Sequence, residues 1–306
     1  MSEISNNGSM AVWLHAMRPR TLPLATASIL MGSALAASRP PFSWAVTILA
    51  IITAILLQIL SNLANDYGDS QHGADSAQRE GPLRAVQSGA ISTRRMLAAI
   101  IITSLLSAIF GIALLWAAFG SQGTRFILVF LLLGGAAILA AIGYTAGIRP
   151  YGYAGLGDLS VLIFFGWVAV MGTYFLQTER LDWDVMLPAT SCGLLAVAVL
   201  NINNIRDRRS DDLAGKNTIP VRLGLQGARI YHWVLLLGAI LLAILYVINF
   251  YYSPWQFLFL VTVPLLIVNG IQVWRTSAPA ELNPLLKKLS ITTLLFVLAF
   301  SIGQVL

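Results

Sequence analysis

The first residues whose side chains could do chemistry lie at the end of a long apolar run. Residues 60–69, "LSNLANDYGD", contain Asn62, Asn65, Asp66 and Asp69. If a helix continues through this segment, the amides and acids three or four residues apart lie on one general side of it. A carboxylate is costly to place beside an apolar run unless something compensates its charge. The segment therefore predicts a binding site for a cation.

A second segment repeats the arrangement. Residues 200–216, "LNINNIRDRRSDDLAGK", place Asn203, Asp207 and Asp211 at intervals of four residues, as a single helical stripe. Like charges at this spacing repel each other. Carboxylate and amide oxygens suit Mg²⁺, which usually bridges one or two carboxylates to substrate phosphates. Two such stripes that face each other predict a site for metal-bound diphosphate.

Basic residues near these segments suit the same ligand. Arg84 and Arg149 lie in predicted loops, and Lys216 follows the second acidic stripe directly. Each can make charge-assisted hydrogen bonds to diphosphate oxygens. The alternative is that these cations follow the general charge bias of membrane proteins and meet lipid headgroups.

The composition indicates where these segments must lie. The chain has 306 residues, of which 57% are hydrophobic and 10% charged, and its mean hydropathy is +0.77. Soluble domains carry roughly 25% charged residues. The chain is therefore predicted to be a polytopic membrane protein. Its net charge of +6 follows the membrane topology and does not indicate nucleic-acid binding, and Cys192 is the only cysteine, which excludes an intrachain disulfide.

The apolar runs predict an all-α bundle of nine transmembrane helices, since a span needs about 20 mostly apolar residues. The run 230–274 is too long for one span, and residues 249–255 ("NFYYSPW") supply a turn that divides it in two. The other predicted spans are 21–38, 42–64, 96–120, 126–148, 159–178, 185–205 and 289–306.

The distribution of charge predicts the orientation. With the N-terminus in the cytoplasm, 16 of the 19 Lys and Arg residues fall on the cytoplasmic side, as the positive-inside rule requires. More than half of the 13 acids also fall in the two loops after the second and sixth helices. We therefore expect two Asp-rich cytoplasmic loops to cap a central cavity. Residues 1–306 are predicted to form one transmembrane domain, in which 1–17 is a polar, flexible N-terminal segment.

These motifs resemble those of the UbiA-type intramembrane aromatic prenyltransferases. That family has an N-D-x-x-D-x-x-x-D motif after its second helix, which residues 65–69 match in part, and a D-x-x-x-D motif after its sixth, which Asp207 and Asp211 match. The family's third Asp falls on Gly73, and the nearest acid is Asp75. The resemblance therefore does not carry a metal-ligand role to Asp75.

Further matches cover the chain from about residue 18 onward. The family's arginine ahead of a Ser-Gly pair corresponds to Arg84, its basic residue in the loop after the fourth helix to Arg149, and its Gly-Lys pair to Gly215 and Lys216. The segments "ILSNLANDYGD", "GPLR", "RPYGYAGLGD", "LNINNIRD" and "GKNT" are similar to the branch that acts on 1,4-dihydroxy-2-naphthoate.

The resemblance implies a reaction. A polyprenyl group passes from polyprenyl diphosphate to 1,4-dihydroxy-2-naphthoate, CO₂ and diphosphate leave, and demethylmenaquinol forms for menaquinone biosynthesis. The implied enzyme is a Mg²⁺-dependent, multi-pass protein of the cell (inner) membrane, with its active site on the cytoplasmic face. It implies catalytic and metal-binding roles for Asp66, Asp69, Asp207 and Asp211, and substrate or diphosphate binding by Asn62, Asn65, Asn203, Arg84, Arg149, Lys216, Tyr144 and Tyr153.

The tyrosines have two interpretations. Tyr144 and Tyr153, with Tyr67 and Tyr151, can flank an allylic carbocation through cation–π contacts. Tyrosines also concentrate at membrane interfaces without any catalytic role. The sequence leaves both open.

Three other functions compete with this interpretation. A related enzyme acting on 4-hydroxybenzoate or haem would share the motifs. A cation-coupled transporter would use the acids as ion sites, but such sites usually lie near the middle of the membrane, whereas these acids gather at one side. A CDP-alcohol phosphotransferase would need a D-G-x-x-A-R segment, which the sequence lacks.

Overall fold

A computed structural model describes residues 9–39, 41–71, 84–121, 123–146 and 150–306. Within these ranges every regular element is helical, which confirms the all-α prediction. Arg149 and Asp75 lie outside the described residues. The α-helices are α1 (Ser9–Met17), α2 (Leu22–Ala37), α3 (Trp44–Gln71), α4 (Thr93–Phe119), α5 (Thr124–Gly143), α6 (Gly157–Val161), α7 (Gly172–Thr178), α8 (Met186–Leu213), α9 (Ile219–Asn249), α10 (Val263–Arg275) and α11 (Leu282–Val305).

Short helical pieces of other types complete the bundle. A π-helical stretch, Leu162–Met171, joins α6 to α7 as one continuous rod. Short 3₁₀ helices precede α2, α8, α10 and α11 at Pro19–Thr21, Trp183–Val185, Pro254–Thr262 and Pro279–Glu281. The chain breaks its helix between Asn249 and Pro254, which confirms the turn predicted within the long apolar run.

Eight helical segments in the described part of the chain are long and apolar enough to cross a membrane, so this is a multi-pass membrane protein. The first predicted span corresponds to α2, which has 16 residues and is shorter than those eight. The count of nine spanning helices therefore stays a prediction.

The N-terminal segment differs from the expectation. We expected residues 1–17 to be polar and flexible; residues 1–8 lie outside the described part of the chain, and Ser9–Met17 forms helix α1. Val12, Trp13 and Ala16 pack against the apolar cluster that α3 contributes through Leu60 and its neighbours. Burial of these three side chains stabilises a helix that would be too short to persist alone.

Helix α8 lies at the centre of the bundle. It packs against α9, the π-helical stretch and α11, and most of its residues are buried. The approach to the π-helical stretch is close: a Cβ atom on Gly166 would lie 2.7 Å from the carbonyl oxygen of Ala189. By contrast, α5 contains no buried residue and packs on the outside of α3 and α4.

Both acidic segments are helical, not loops. Helix α3 continues to Gln71 and α8 to Leu213, so Asp66, Asp69, Asp207 and Asp211 lie on their last turns. This corrects the expectation of Asp-rich loops over a cavity, and it confirms the helical continuation on which the stripes depend. All four acids are buried, because each one has partners that compensate its burial.

Candidate active site

Lys216 joins the two acidic segments. Its Nζ lies 2.8 Å from Oδ1 of Asp69 and 3.8 Å from Oδ1 of Asp211. Gly215 has a φ of +72°, a conformation that favours glycine, and it turns the chain back over the end of α8. The amide of Lys216 then donates to the carbonyl of Asp211 at 2.8 Å. One ammonium group thus lies between two carboxylates that are distant in the sequence.

Asp69 has three side-chain partners from distant parts of the chain. Besides Lys216, it forms a salt bridge with Arg84 and accepts a hydrogen bond from Tyr153 Oη at 3.0 Å. Burial and the nearby Asp69 carboxylate raise the pKa of Tyr153 above its ordinary value. Tyr153 is therefore a neutral donor near neutral pH. The Lys216 ammonium also lies over its ring, 4.6 Å from the centroid.

Asp66 has a different partner. Its two carboxylate oxygens accept hydrogen bonds from the backbone amides of Ala85 and Val86, each at 3.1 Å. This anchors the chain just after Arg84, whose guanidinium reaches Asp69 and donates to the carbonyl of Asn65. In this structure Asp66 orders the segment that supplies Arg84.

Asn62 connects α3 to the N-terminal corner. Its amide donates to the carbonyl of Met17 at 2.9 Å and lies 3.2 Å from the hydroxyl of Thr21. We predicted a diphosphate-binding role for Asn62. In this structure its side chain lines the larger cavity described below and also holds the turn between α1 and α2.

Asn65 connects α3 to the end of α5, since its Oδ1 accepts a hydrogen bond from Thr145 Oγ1 at 2.9 Å. The two segments approach closely at Gly68, where a Cβ atom would lie 2.5 Å from the carbonyl oxygen of Thr145. Any larger residue at this position must push α3 away from residues 145–146. Gly68 therefore allows the close packing of this corner.

Asp207 is paired within its own helix by a residue that our sequence analysis missed. Arg206 is buried and donates to both carboxylate oxygens of Asp207, at 2.7 and 2.5 Å. It also donates to Asn203 at 2.8 Å and to Asn283 of α11 at 2.7 Å. A signal was present: Arg206 follows Asn203 by three residues, one helical turn, beside the second acidic stripe.

Most of these groups line a cavity of about 610 Å³. The described residues of the predicted site line it, except Asp66, which lines a smaller neighbouring cavity. Tyr144 and Tyr151 also line the larger cavity, whereas Tyr67 packs in the apolar cluster beside α1. Away from the acids the lining is apolar and comes from α2–α5, the π-helical stretch and α8.

The donor set suits a magnesium ion that is shared with a ligand. Among the described residues, no group of three or more His, Cys, Asp or Glu side chains is arranged to hold a metal alone. Mg²⁺ is usually bound by one or two carboxylates, with waters and substrate phosphates completing its shell. Asp69 and Asp211 already share one cation, the Lys216 ammonium, so their hard oxygens fit an ion of this kind.

Opposed acids and cations at the polar end of an apolar cavity, within a helical membrane bundle, form the arrangement expected of an intramembrane enzyme. The model of the UbiA prenyltransferase family matches residues 25–297. The chain therefore belongs to the UbiA prenyltransferase family and is a prenyltransferase.

Known proteins resemble the chain over nearly its whole length. It is 49% identical to the 1,4-dihydroxy-2-naphthoate octaprenyltransferase of Escherichia coli (strain K12), over 95% of this chain and 96% of that protein. Identity to the enzyme of the same name from Haemophilus influenzae is 46%, over 97% and 96% of the two chains. A UbiA homologue from Archaeoglobus fulgidus, solved bound to GPP and Mg²⁺, has the same fold, with a TM-score of 0.66 at 17% identity over 96% of this chain and 100% of that one.

Proposed function

We propose that this protein transfers a polyprenyl group from polyprenyl diphosphate to 1,4-dihydroxy-2-naphthoate, releasing CO₂ and diphosphate and giving demethylmenaquinol for menaquinone biosynthesis. The observation that carries the proposal is the meeting of Asp69, Asp211 and Lys216 at the polar end of an apolar cavity. The names of the relatives with 49% and 46% identity support the naphthoate acceptor.

The diphosphate belongs at the charged end of the cavity. Asp69, Asp207 and Asp211, with Asp66 behind them, would hold Mg²⁺, and bound Mg²⁺ neutralises charge on the departing diphosphate. Arg84 and Lys216, which pair with Asp69 in this structure, would turn to the phosphate oxygens. We extend the same role to Arg149. Cations already in place at the site of developing charge lower the barrier to ionisation.

The apolar part of the cavity suits the prenyl chain. Leu57, Ile112, Phe130, Leu131 and Phe164 are among its lining residues. An allylic cation formed here is shielded from water, which would otherwise quench it. Tyr144 and Tyr153 line the cavity near the acids and can stabilise the cation with their ring faces. A chain longer than the cavity would leave between helices into the lipid.

The ring chemistry balances without a general base. The ring carbon that bears the carboxylate forms a bond to the prenyl carbon as the C–O bond to diphosphate breaks. The bond to the carboxylate then breaks, CO₂ departs, and its electron pair restores the aromatic ring. No proton has to be removed from the ring. This agrees with a site whose described carboxylates are all engaged by cations or backbone amides.

The acids lie at one end of the bundle, and the charge bias of the sequence predicts that this end faces the cytoplasm. We therefore place the protein in the cell (inner) membrane as one transmembrane domain, with the active site facing the cytoplasm. Water-soluble naphthoate would enter from that side, and the prenyl donor from the lipid.

The test is a coupled assay on purified protein. Carboxyl-labelled 1,4-dihydroxy-2-naphthoate, a polyprenyl diphosphate and Mg²⁺ are supplied, and labelled CO₂ and prenylated product are measured. We expect equal amounts of both, and loss of both with EDTA. Product from 4-hydroxybenzoate alone would overturn the acceptor assignment, and no product from either acceptor in folded protein would overturn the prenyl-transfer proposal.

A further inference from the structure

The larger cavity extends from the acids to a defined apolar end. Along α3 its lining residues recur every three or four positions, from Asp69 at the charged end back to Ala50 near the start of the helix. Around Ala50, lining residues of four other helices belong to one apolar cluster: Ile29, Leu114, Leu115, Phe130 and Leu176. Side chains from α2, α3, α4, α5 and α7 therefore converge at the end opposite the acids.

Four phenylalanines strengthen this apolar end. Phe119 of α4, Phe126 and Phe130 of α5 and Phe175 of α7 form five ring pairs, with centroids 5.2 to 6.3 Å apart. Phe130 lines the cavity, and the other three rings pack behind it. Tilted and edge-on aromatic pairs stabilise each other beyond the apolar area that they bury. We call these four residues the aromatic floor.

The distance between the acids and the aromatic floor sets a length. Asn65 and Ala50 both line the cavity, and they lie ~22 Å apart along α3 at a rise of 1.5 Å per residue. An extended chain advances about 1.2 Å per bond, judged from the polypeptide with its three bonds per residue. An isoprene unit contributes four bonds to the chain. The cavity therefore has room for about four extended units between the diphosphate and the floor.

A longer chain has a way past the floor beside α5. This helix contains no buried residue. Its Gly134 and Gly135 line the cavity, and no described atom lies within 4 Å of a Cβ atom placed on either glycine. A chain that meets the floor finds space here and continues into the lipid. Lipid tails are as apolar as the cavity wall, so units outside the cavity add little to recognition.

We infer that the aromatic floor sets the prenyl-length selectivity of this protein: the cavity recognises about the first four isoprene units, and the floor turns the remaining units into the lipid. The inference rests on the proposed function and assigns the donor class as chains of four units or more, with little discrimination among them. A shorter donor leaves the end of the cavity unfilled and forfeits dispersion contacts there. Such remote contacts orient the reacting carbon, so truncated donors react more slowly.

Two substitutions change the depth of the cavity in opposite directions. Gly172 lines the cavity, and a Cβ atom there would lie 3.9 Å from Cε1 of Phe130, an ordinary van der Waals distance. Gly172→Leu therefore fills the space above the floor, whereas Phe130→Ala lowers the floor. The matched controls are Ala136→Leu and Leu132→Ala, at exposed positions of α5 that are not among the lining residues.

The measurement is a competition between donors of different length. Full-length protein in lipid nanodiscs receives the naphthoate, Mg²⁺ and an equal mixture of two prenyl diphosphates: two with four isoprene units, or four with five. Mass spectrometry of the products gives the ratio of the two kcat/KM values. Partition of the donors into the nanodisc is the same for every variant, so a change in the ratio between variants reports the protein alone. Thermal unfolding checks that each variant is folded, and Phe130→Leu replaces Phe130→Ala if the latter unfolds at the assay temperature.

Gly172→Leu is expected to lower the preference for four units over two by about tenfold or more, the effect of a missing or added methylene in an apolar pocket. Phe130→Ala should raise the preference for five units over four, and both controls should keep the wild-type ratios. A four-over-two ratio unchanged by Gly172→Leu, a five-over-four ratio unchanged in the floor variant, or equal shifts in the controls would overturn the inference and leave the proposed function intact. Wild-type protein that gives no product from any donor would overturn both.

Discussion

The two acidic segments use the same residue types but are neutralised in different ways. On α3, Asp66 and Asp69 find their partners in distant parts of the chain: the amides after Arg84, and the side chains of Arg84, Tyr153 and Lys216. On α8, Asp207 is paired by Arg206, its immediate neighbour in the sequence.

Because of this difference, the two segments have different roles in the site. The α8 segment is largely ordered by contacts within its own helix and with Asn283 of α11. The α3 segment becomes complete only when three other segments pack on it. Its cations reach Asp69 on long side chains, and such partners can move to a diphosphate without disturbing the helices. The α8 segment is accordingly the fixed half of the site and the α3 segment the adjustable half.

A very large effect on turnover is expected at Asp69, the carboxylate that contacts both Arg84 and Lys216. Asp69→Asn removes the charge that Arg84 and Lys216 both meet, and it removes a predicted metal ligand. We expect kcat to fall by about 10³-fold or more, as when preorganised charge at a reacting centre is lost. Steady-state turnover of naphthoate at saturating Mg²⁺ measures this.

The control for that variant is Asp212→Asn. Asp212 is an exposed acid next to Asp211 on the last turn of α8, and its replacement should leave turnover near the wild-type value. Asp69→Asn with nearly normal activity would remove the metal and diphosphate roles that we propose for the α3 segment.

The second prediction separates the two segments by stability. Asp207→Asn and Asp66→Asn should both abolish turnover, but only the former leaves a buried guanidinium without its counter-charge. Removing one partner of a buried ion pair costs about 3–5 kcal/mol, whereas Asn at 66 still offers an oxygen to one of the two amides and should lose roughly 1 kcal/mol. Thermal unfolding in nanodiscs compares them. Equal losses of stability would contradict the distinction between a fixed and an adjustable half.

A third, smaller effect concerns the residue that joins the halves. Lys216→Met keeps the length and apolar stem of the side chain and removes the ammonium that contacts Asp69 and Asp211. We expect KM for prenyl diphosphate to rise by roughly tenfold, with a smaller change in the naphthoate KM, because one charge-assisted phosphate contact is lost. Lys288→Met, at an exposed position of α11, is the matched control. A selective rise in the naphthoate KM would instead assign Lys216 to the acceptor.

The same contrast explains what sequence reasoning could reach. The continuation of α3 and α8 through the acidic stripes was predictable, because the spacing of three and four residues is a local signal. The break between Asn249 and Pro254 was predictable from its turn residues and aromatic residues. These features depend on residues close together in the chain.

Features that depend on contacts between distant parts of the chain could not be predicted from the sequence. The binding of Asp66 to the amides of Ala85 and Val86 has no side-chain signal in the sequence. Helix α1 is ordered by apolar contacts with α3. Its own sequence, SMAVWLHAM, is mostly apolar, so our description of residues 1–17 as polar did not fit this part of them. Arg206 was overlooked for another reason: we counted it among the basic residues explained by the positive-inside rule. Yet Asn203 lies one helical turn before it, and Asp207 follows it directly in the sequence.

The smallest expected effect is at Tyr153. It tests whether the other partners of Asp69 can hold this carboxylate when one hydrogen bond is lost. Tyr153→Phe removes the hydrogen bond to Asp69 and keeps the ring beneath the Lys216 ammonium. Loss of one such bond costs about 1 kcal/mol or somewhat more because the acceptor is charged, so turnover should fall by less than about tenfold. Tyr153→Leu removes the ring as well and should fall further. The raised pKa of Tyr153 keeps its hydroxyl protonated near neutral pH, so the ratio of wild-type to Tyr153→Phe activity should not change between pH 7 and about 9. A ratio that changes within this interval would mean that the hydroxyl ionises there and acts as more than a hydrogen-bond donor to Asp69.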